Sequence, residues 1–319
     1  MDFSHLGEGK SSSFSSACGA VATTHSFRIH ALDCRNHGDS IHTDHHSLEA
    51  ISDDLSLYME ENEISSPILM GHSMGGKAAL LHAMRHGHSN GKRSQARLNN
   101  SVRCVVALDA APCAYKTNHQ YVFDAMRGLD LKTISRRMDA DQQLKETIVH
   151  SGERAFILSN LVIDAQSKSG EGKGRCKWTP NLEVLSRDEK YVHDWPEEVP
   201  QRQFTGPALF VGGNLSTRLT TPSHLDAVSH KFPRGVVVMV PAGHFVHHAA
   251  AMDTVEHIAD FLSVELKLPG AIDPQDSPKT FKKIATGATI RALCLEESDE
   301  VQGGIMTTEA DEGRRHHLV

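Results

Sequence analysis

One short segment, Gly71-His72-Ser73-Met74-Gly75-Gly76, constrains the fold of this chain more than any other. The apolar residues Ile68-Leu69-Met70 before it are typical of a buried strand, and Lys77-Ala78-Ala79-Leu80-Leu81 after it are typical of a helix. The backbone of such a turn has no space for side chains two residues before and after the serine, and glycines occupy both positions. The segment therefore predicts a strand, a sharp turn and a helix, with the Ser73 hydroxyl exposed at the turn.

The serine at this turn permits two interpretations. At a helix N-terminus, free backbone N–H groups such as that of Met74 can stabilise a negatively charged oxygen, so Ser73 is a candidate nucleophile. In the alternative interpretation Ser73 only caps the helix, and the glycines only serve the turn. A nucleophilic serine needs a base and an acid, which must come from elsewhere in the chain.

A histidine in a suitable position follows another predicted strand. The uncharged run Val236-Val237-Val238-Met239-Val240 is typical of a buried parallel strand, and Pro241-Ala242-Gly243 ends it. His244 comes next, at the carboxyl end of that strand, where open parallel sheets assemble their sites. Among the 22 histidines, we interpret His72 as a support for the turn and His247 as a surface residue. His244 is therefore the predicted base.

The acid has a first candidate and an alternative. Asp109 directly follows the apolar run Cys104-Val105-Val106-Ala107-Leu108, so it too lies at the carboxyl end of a predicted strand. Its other interpretation is a cap on the turn that follows. The later strand Ala208–Val211 leads into Gly212-Gly213-Asn214-Leu215-Ser216, which offers no carboxylate. Glu183, in the middle of the chain, is the alternative acid.

Strand and helix patterns alternate through the first part of the chain. Phe27–Asp33 reads as a strand, and Ser47–Glu61 reads as an amphipathic helix with apolar residues on one face. The strands before Ser73 and Asp109 continue the alternation. This pattern predicts an α/β fold built on a doubly wound, mostly parallel sheet.

The middle of the chain changes character between residues 113 and 203. Helical periods run over Leu129–Leu144 and Gly152–Leu161, strand patterns are few, and a polar loop spans Ser167–Lys177. We predict that residues 113–203 form a helical cap over Ser73.

The rest of the chain divides into a core and a tail. The core is predicted to comprise residues 1–112 and 204–265, ending with a helix at Thr254–Leu262. Beyond it the sequence has scattered prolines, an acidic stretch and no sustained period, which predicts a mostly disordered tail over residues 266–319. The apolar segment Ile290–Leu295 is the part of this tail that could pack on the core.

Composition limits the partners of the 319-residue chain. Its formal charge of −7 argues against a nucleic-acid partner, because phosphate binding needs clustered cations. Six cysteines without Cys-x-x-Cys spacing indicate a reducing compartment and neither a disulfide framework nor a zinc site. No stretch approaches the ~18 apolar residues of a membrane span. These features predict an intracellular protein without a membrane span.

Six segments, in family order over roughly residues 1–263, carry a resemblance to a known family. They are Leu32-Asp33-Cys34-Arg35-Asn36-His37-Gly38-Asp39-Ser40, Gly71-His72-Ser73-Met74-Gly75-Gly76-Lys77, Phe123-Asp124-Ala125-Met126-Arg127, Leu158-Ser159-Asn160-Leu161-Val162, Pro200-Gln201-Arg202-Gln203 and Gly243-His244-Phe245-Val246-His247. With them the chain resembles the α/β-hydrolase superfamily, and most closely the small esterase- and lipase-like group that includes a mitochondrial α/β-hydrolase-domain protein and bacterial esterases.

The resemblance implies a role for each candidate residue. Ser73 would be the nucleophile, His244 the general base and Asp109 the acid, in the chain order of α/β-hydrolases. The oxyanion would be bound by the backbone N–H of Met74 and by that of Leu6 or Gly7. The predicted location is cytoplasmic or mitochondrial, the latter on the basis of the resemblance, and no cofactor or metal is implied.

The N-terminus departs from the family pattern. Family members begin with three strands, and the third lies between the fourth and fifth and ends in a His-Gly motif. Residues 1–14 resemble only the end of that strand and the following loop, with Leu6 in place of the usual glycine. We therefore expect truncated N-terminal strands, and unpaired backbone between the strand Phe27–Asp33 and the strand before Ser73.

The predicted activity is that of a serine hydrolase that cleaves carboxylic esters or thioesters of acyl, lipid-like small molecules through an acyl-enzyme on Ser73. Epoxide hydrolases and dehalogenases of the same fold need an aspartate where Ser73 stands. Two alternatives stay open: a non-catalytic relative that binds a ligand or a protein, and a truncated, inactive chain.

Overall fold

The computed structural model describes residues 27–87, 102–164, 175–196, 202–266 and 292–297. The strands are β1 (Phe27–Leu32), β2 (Ile68–His72), β3 (Cys104–Leu108), β4 (Leu161–Asp164), β5 (Arg175–Trp178), β6 (Ala208–Gly213), β7 (Gly235–Val240) and β8 (Ala292–Glu297). The helices are α1 (Leu48–Glu61), α2 (Met74–His86), α3 (Gln120–Gly128), α4 (Arg137–Leu144), α5 (Ser151–Ser159), α6 (Leu182–Arg187), α7 (Glu189–His193), α8 (Pro222–Lys231), α9 (Val246–Ala249) and α10 (Ala251–Glu265). None of the helices within these residues is both long and apolar enough to cross a membrane.

A six-stranded sheet with the order β1-β8-β2-β3-β6-β7 forms the centre of the structure. β2, β3, β6 and β7 pair in parallel, as their continuous apolar runs predict. Alternate residues of each strand enter the packing on opposite faces: Leu69 and Val105 face the cluster that includes α1 and α2, whereas Met70 and Val106 face the cluster that includes α10. The predicted doubly wound, mostly parallel sheet is therefore confirmed.

The strand β8 corrects two expectations about the sheet. Its residues, Ala292–Glu297, fall in the segment predicted to be a disordered tail, yet they pair antiparallel with β1 on one side and with β2 on the other. The backbone expected to be unpaired between β1 and β2 is therefore paired over this stretch. When a strand inside a sheet lacks a neighbour, its backbone N–H and C=O groups on that side have no partner, and any extended segment can pair with them. Here the segment Ala292–Glu297 pairs with them. The remaining residues of 267–319 lie outside the described residues.

The residues between β3 and β6 build a hydrophobic cluster of their own. It contains Phe123, Met126, Leu144 and Leu161, each fully or almost fully buried. This separate cluster supports our proposal that residues 113–203 form an inserted cap on a core made from the flanking segments. Lys77 of α2 joins the two parts, because its Nζ donates to the backbone oxygens of His193 and Asp194 at 2.8 and 3.0 Å.

Two details of the cap differ from the sequence prediction. The helical period over Leu129–Leu144 is wrong in its first half: α3 ends at Gly128, and Leu129, Leu131 and Ile134 pack on the cap cluster from a turn. That turn is stabilised by the Asp130 carboxylate, which accepts from the Lys132 backbone N–H at 3.1 Å. The segment Ser167–Lys177, predicted to be a polar loop, overlaps β5, which pairs antiparallel with β4.

Candidate active site

Ser73 lies in a strained turn between β2 and α2. Its φ of +51° is unusual for a residue other than glycine. A Cβ atom on Gly71 would lie 2.3 Å from the backbone carbonyl carbon of Gly75, so a side chain cannot be accommodated there. The Ser73 backbone N–H donates to the Leu108 oxygen at 2.9 Å, which fixes the turn against β3. The two glycines thus permit the close turn that presents the Ser73 hydroxyl.

The structure brings His244 to this hydroxyl. The His244 Nε2 atom lies 3.3 Å from Ser73 Oγ. His244 is on the short loop between β7 and α9, at the carboxyl end of its strand as the sequence predicts. The buried ring of His72 donates from Nε2 to the His244 backbone oxygen at 3.2 Å. His72 therefore supports the histidine loop, in addition to belonging to the turn.

Asp109 completes the arrangement from the end of β3. Its side chain is fully buried, and its Oδ2 atom bonds to His244 Nδ1. Because Nδ1 faces a carboxylate, it carries the imidazole proton, and Nε2 is left to accept from the Ser73 hydroxyl. Asp109 also has a positive φ of +55°, so strained backbone occurs at two of the three positions.

The electrostatics favour a neutral imidazole. Burial lowers the pKa of His244 well below its usual value, and the positive charge of Arg218 lowers it further. A neutral His244 at pH 7 can take a proton from a hydroxyl, whereas a protonated one cannot.

Ser216 is a site residue that sequence reasoning missed. Its hydroxyl donates to Asp109 Oδ2 at 2.8 Å, from the loop that follows β6. That loop has no carboxylate in its sequence; it instead donates a hydrogen bond to the carboxylate that follows β3. A single serine among polar loop residues carries no signal that would have revealed this.

The remaining predicted site residues have different outcomes. Met74 is the first residue of α2, where backbone N–H groups have no partner within the helix, so its N–H is available to an oxyanion. Leu6 and Gly7 lie outside the described residues. Glu183 lies on α6 with an exposed side chain and is not brought to His244, whose two ring nitrogens face Asp109 and Ser73.

Comparisons with known proteins identify the family and the fold of the chain. The family model described as alpha/beta hydrolase fold matches residues 7–251. Over 262 residues the chain is 31% identical to the Mus musculus protein named sn-1-specific diacylglycerol lipase ABHD11, covering 80% of this chain and 78% of that protein. The Xenopus tropicalis protein of the same name is also 31% identical over 262 residues, covering 80% of this chain and 75% of that protein.

A solved structure shares both sequence and architecture. It is titled marine microorganism esterase, is 25% identical, and superposes with a TM-score of 0.62 over 72% of this chain and 83% of that one. The family match, over residues 7–251, spans more than half of the 319-residue sequence. The resemblance expected from the motifs is confirmed, and the chain belongs to the α/β-hydrolase fold family.

Proposed function

We propose that this protein is a serine hydrolase that cleaves carboxylic ester or thioester bonds of acyl, lipid-like small molecules through an acyl-enzyme on Ser73. The observation that carries the proposal is the hydrogen-bonded chain from Ser73 Oγ to His244 Nε2 and from His244 Nδ1 to the buried Asp109. The relatives named as lipases and the structural neighbour titled esterase support an ester as the bond that is cleaved.

In the proposed mechanism His244 Nε2 takes the proton of the Ser73 hydroxyl as Oγ attacks the substrate carbonyl. The resulting tetrahedral oxyanion accepts a hydrogen bond from the Met74 N–H at the start of α2, where the helix dipole also favours negative charge. His244 then gives its proton to the leaving alcohol or thiol. A water molecule, activated by the same imidazole, attacks the acyl-enzyme and regenerates Ser73.

An apolar contact between core and cap supports an acyl substrate. The ring of Phe156, on α5, lies 5.1 Å from the ring of Phe245, the residue after His244. Both side chains are only partly buried, unlike Phe123, Met126 and Leu161, which pack inside the cap cluster. Phe156 and Phe245 therefore place apolar surface beside the base, where an acyl chain would lie.

A covalent probe tests the proposal directly. We expect a fluorophosphonate to label the wild-type chain covalently and to label neither Ser73→Ala nor His244→Ala. Ser229→Ala, which alters an exposed serine on α8, is the matched control and should label like the wild type. Folded protein that stays unlabelled would overturn the hydrolase proposal and favour a ligand-binding role.

A substrate panel then tests the bond and the acyl group. We expect hydrolysis of p-nitrophenyl octanoate, of an octanoyl thioester and of a diacylglycerol emulsion, with p-nitrophenyl acetate as the short-chain control. A preference for acetate over octanoate would contradict an acyl-binding surface at Phe156 and Phe245 without affecting the role of Ser73.

A further inference from the structure

Three side chains outside the Ser73 site converge where the cap begins and ends. His119 immediately precedes α3, and Glu189 and His193 lie one turn apart on α7. His119 Nδ1 is 3.2 Å from Glu189 Oε1 and 3.1 Å from His193 Nε2, and His193 Nε2 is 3.2 Å from the same Glu189 oxygen. Three potential ligand atoms thus form a nearly equilateral triangle.

Hydrogen bonds alone cannot satisfy all three sides of this triangle. Each of the two ring nitrogens carries at most one proton, and the carboxylate carries none. If both protons point at Glu189, the two imidazoles face each other without a bond. If one imidazole donates to the other, the accepting nitrogen presents its lone pair, not a proton, to the carboxylate. A cation at the centre would bind all three atoms at once.

The dimensions match a tetrahedral metal complex. With metal–ligand bonds of about 2.0 Å, the ligand atoms around Zn²⁺ lie about 3.3 Å apart. The three separations of 3.1–3.2 Å are close to this value. Two imidazole nitrogens and one carboxylate oxygen are also a ligand set that zinc accepts.

A second set of hydrogen bonds orients the three side chains. Thr117 Oγ1 lies 3.1 Å from His193 Nδ1, the nitrogen that faces away from the triangle. Gln120 Nε2 donates to Glu189 Oε2 at 3.1 Å, and the His119 backbone N–H donates to Glu189 Oε1 at 2.5 Å. Such outer partners hold metal ligands in position and set the tautomer of a ligating histidine.

We propose that His119, Glu189 and His193 form a binding site for a divalent transition-metal cation, with Zn²⁺ as the fitting ion. Three protein ligands leave a fourth tetrahedral position for water. The ion would join the start of α3 to α7, and so fasten the two ends of the cap to each other. Lys77 connects this junction to the helix behind Ser73 through the His193 backbone oxygen.

Nearby positive charge limits the expected affinity. The guanidinium of Arg218 is close to the site, because its Nη1 atom donates to Thr117 Oγ1 at 3.3 Å. This positive charge opposes a cation, so we expect weaker binding than in a site with four protein ligands. The proposal concerns the stability of the cap and does not depend on the proposed hydrolase activity.

Zinc binding by the full chain tests the site. The protein would be stripped with a chelator, and binding of ZnCl₂ measured by calorimetry together with the thermal midpoint. We expect the wild type to bind one more zinc ion than Glu189→Gln does, and to gain thermal stability that the chelator reverses. Glu189→Gln keeps the shape and a hydrogen-bond acceptor but removes the charge. Glu146→Gln, an exposed cap glutamate, is the matched control and should bind like the wild type.

A spectroscopic variant keeps the test decisive if Glu189→Gln does not fold. Cobalt(II) in the wild type should give the visible absorption of a tetrahedral site, and His119→Gln should lose it while staying folded. Equal zinc stoichiometry in the wild type and in a folded variant, with no stabilisation by zinc, would overturn the proposal. Fluorophosphonate labelling of Ser73 should be unchanged in every variant, which separates this outcome from that of the hydrolase proposal.

Discussion

The core and the cap use their buried polar side chains differently. In the core, the buried Asp109 and the loop residue His244 form a hydrogen-bonded chain with Ser73. Ser73 and Asp109 have a positive φ, which costs about 1–3 kcal/mol of stability each. In the cap, the buried guanidinium of Arg154 bonds to Asp141 and to the backbone oxygens of Ile148 and Val149. The core arrangement therefore lowers stability through strained backbone at the proposed site. The cap arrangement stabilises the fold, because Arg154 holds the loop that contains Ile148 and Val149.

Because of this difference, substitutions in the two regions should separate activity from stability. Polar variants around His244 should reduce catalysis and leave the fold intact. Polar variants within the cap should lower stability and leave the chemical step nearly unchanged. Four substitutions test the separation.

The largest effect is expected from Asp109→Asn. Asparagine has nearly the same volume and tolerates a left-handed backbone, so the fold should persist. Without the carboxylate, His244 loses the partner that fixes its tautomer, and kcat should fall about 10⁴-fold. Steady-state ester hydrolysis and a thermal melt would measure both quantities.

Glu183→Gln is the matched control for this prediction, because Glu183 was the alternative acid in the sequence. It should leave kcat unchanged, since its side chain is exposed on α6. A large loss in Glu183→Gln together with a small one in Asp109→Asn would reverse the assignment of the acid.

The next effect is on stability, in Arg154→Met. Methionine keeps the apolar length of the side chain, but leaves the Ile148 and Val149 oxygens without their donor. We expect a loss of about 2 kcal/mol in the free energy of unfolding, or roughly 4–8 °C in the midpoint.

Arg136→Met is the control for the cap, since its ion pair with Asp139 is exposed and contributes little. Hydrogen exchange over residues 137–159 should increase in Arg154→Met alone, with kcat near the wild-type value. A fall in kcat without a loss of stability would show that the cap and the site are not separable in this way.

The fold was predictable where local pattern determines structure. β3 and β6 are short, uncharged apolar runs buried along their whole length, and β7 is an uncharged apolar run that is partly buried. Continuous apolar runs of this kind are typical of parallel strands with covered faces. β8 was not predictable as part of the sheet, because its pairing joins segments more than 200 residues apart and depends on the backbone groups that β1 and β2 leave unpaired. The predicted bounds of the cap helices were partly wrong, because apolar residues in the turn after Gly128 have the spacing of a helical period.

The proposed site was predictable to the extent that its residues follow strands. Ser73 and Asp109 directly follow β2 and β3, His244 follows β7 after three loop residues, and the carboxyl ends of parallel strands meet at one edge. Ser216 was missed because its contact with Asp109 comes from tertiary packing. The same holds for His119, which lies 70 residues before the carboxylate it contacts.

A smaller effect on activity is expected from Ser216→Ala. The hydroxyl donates to a buried carboxylate oxygen, and its loss removes one of the groups that hold Asp109 in place. A hydrogen bond to a charged group contributes ~1.5–3 kcal/mol, and only part of this stabilises the transition state. We therefore expect kcat to fall about 10-fold.

Ser216 would act through Asp109, so it is a positioning residue. Its test must distinguish the loss of the hydroxyl group from a packing defect. Ser216→Thr retains the hydroxyl and should restore most of the activity. Failure of threonine to rescue, in a variant with an unchanged thermal midpoint, would contradict the positioning role.

The smallest effect is a shift in pH dependence in Arg218→Gln. Burial is the main cause that lowers the pKa of His244, and the Arg218 charge adds to it, so removing that charge should raise the pKa. Protonated His244 cannot accept the Ser73 proton, so activity falls as the pH drops through this pKa. The acid limb of kcat/KM should therefore lie below pH 6.5 in the wild type and move toward higher pH in the variant.

Arg234→Gln, which alters an exposed ion pair with Glu265, should leave the limb in place. The shift should also shrink in high salt, because Arg218 is partly exposed and its field is screened. An unmoved acid limb would show that burial alone sets the pKa of the base, and that the core site needs no charge from its surroundings to keep His244 neutral.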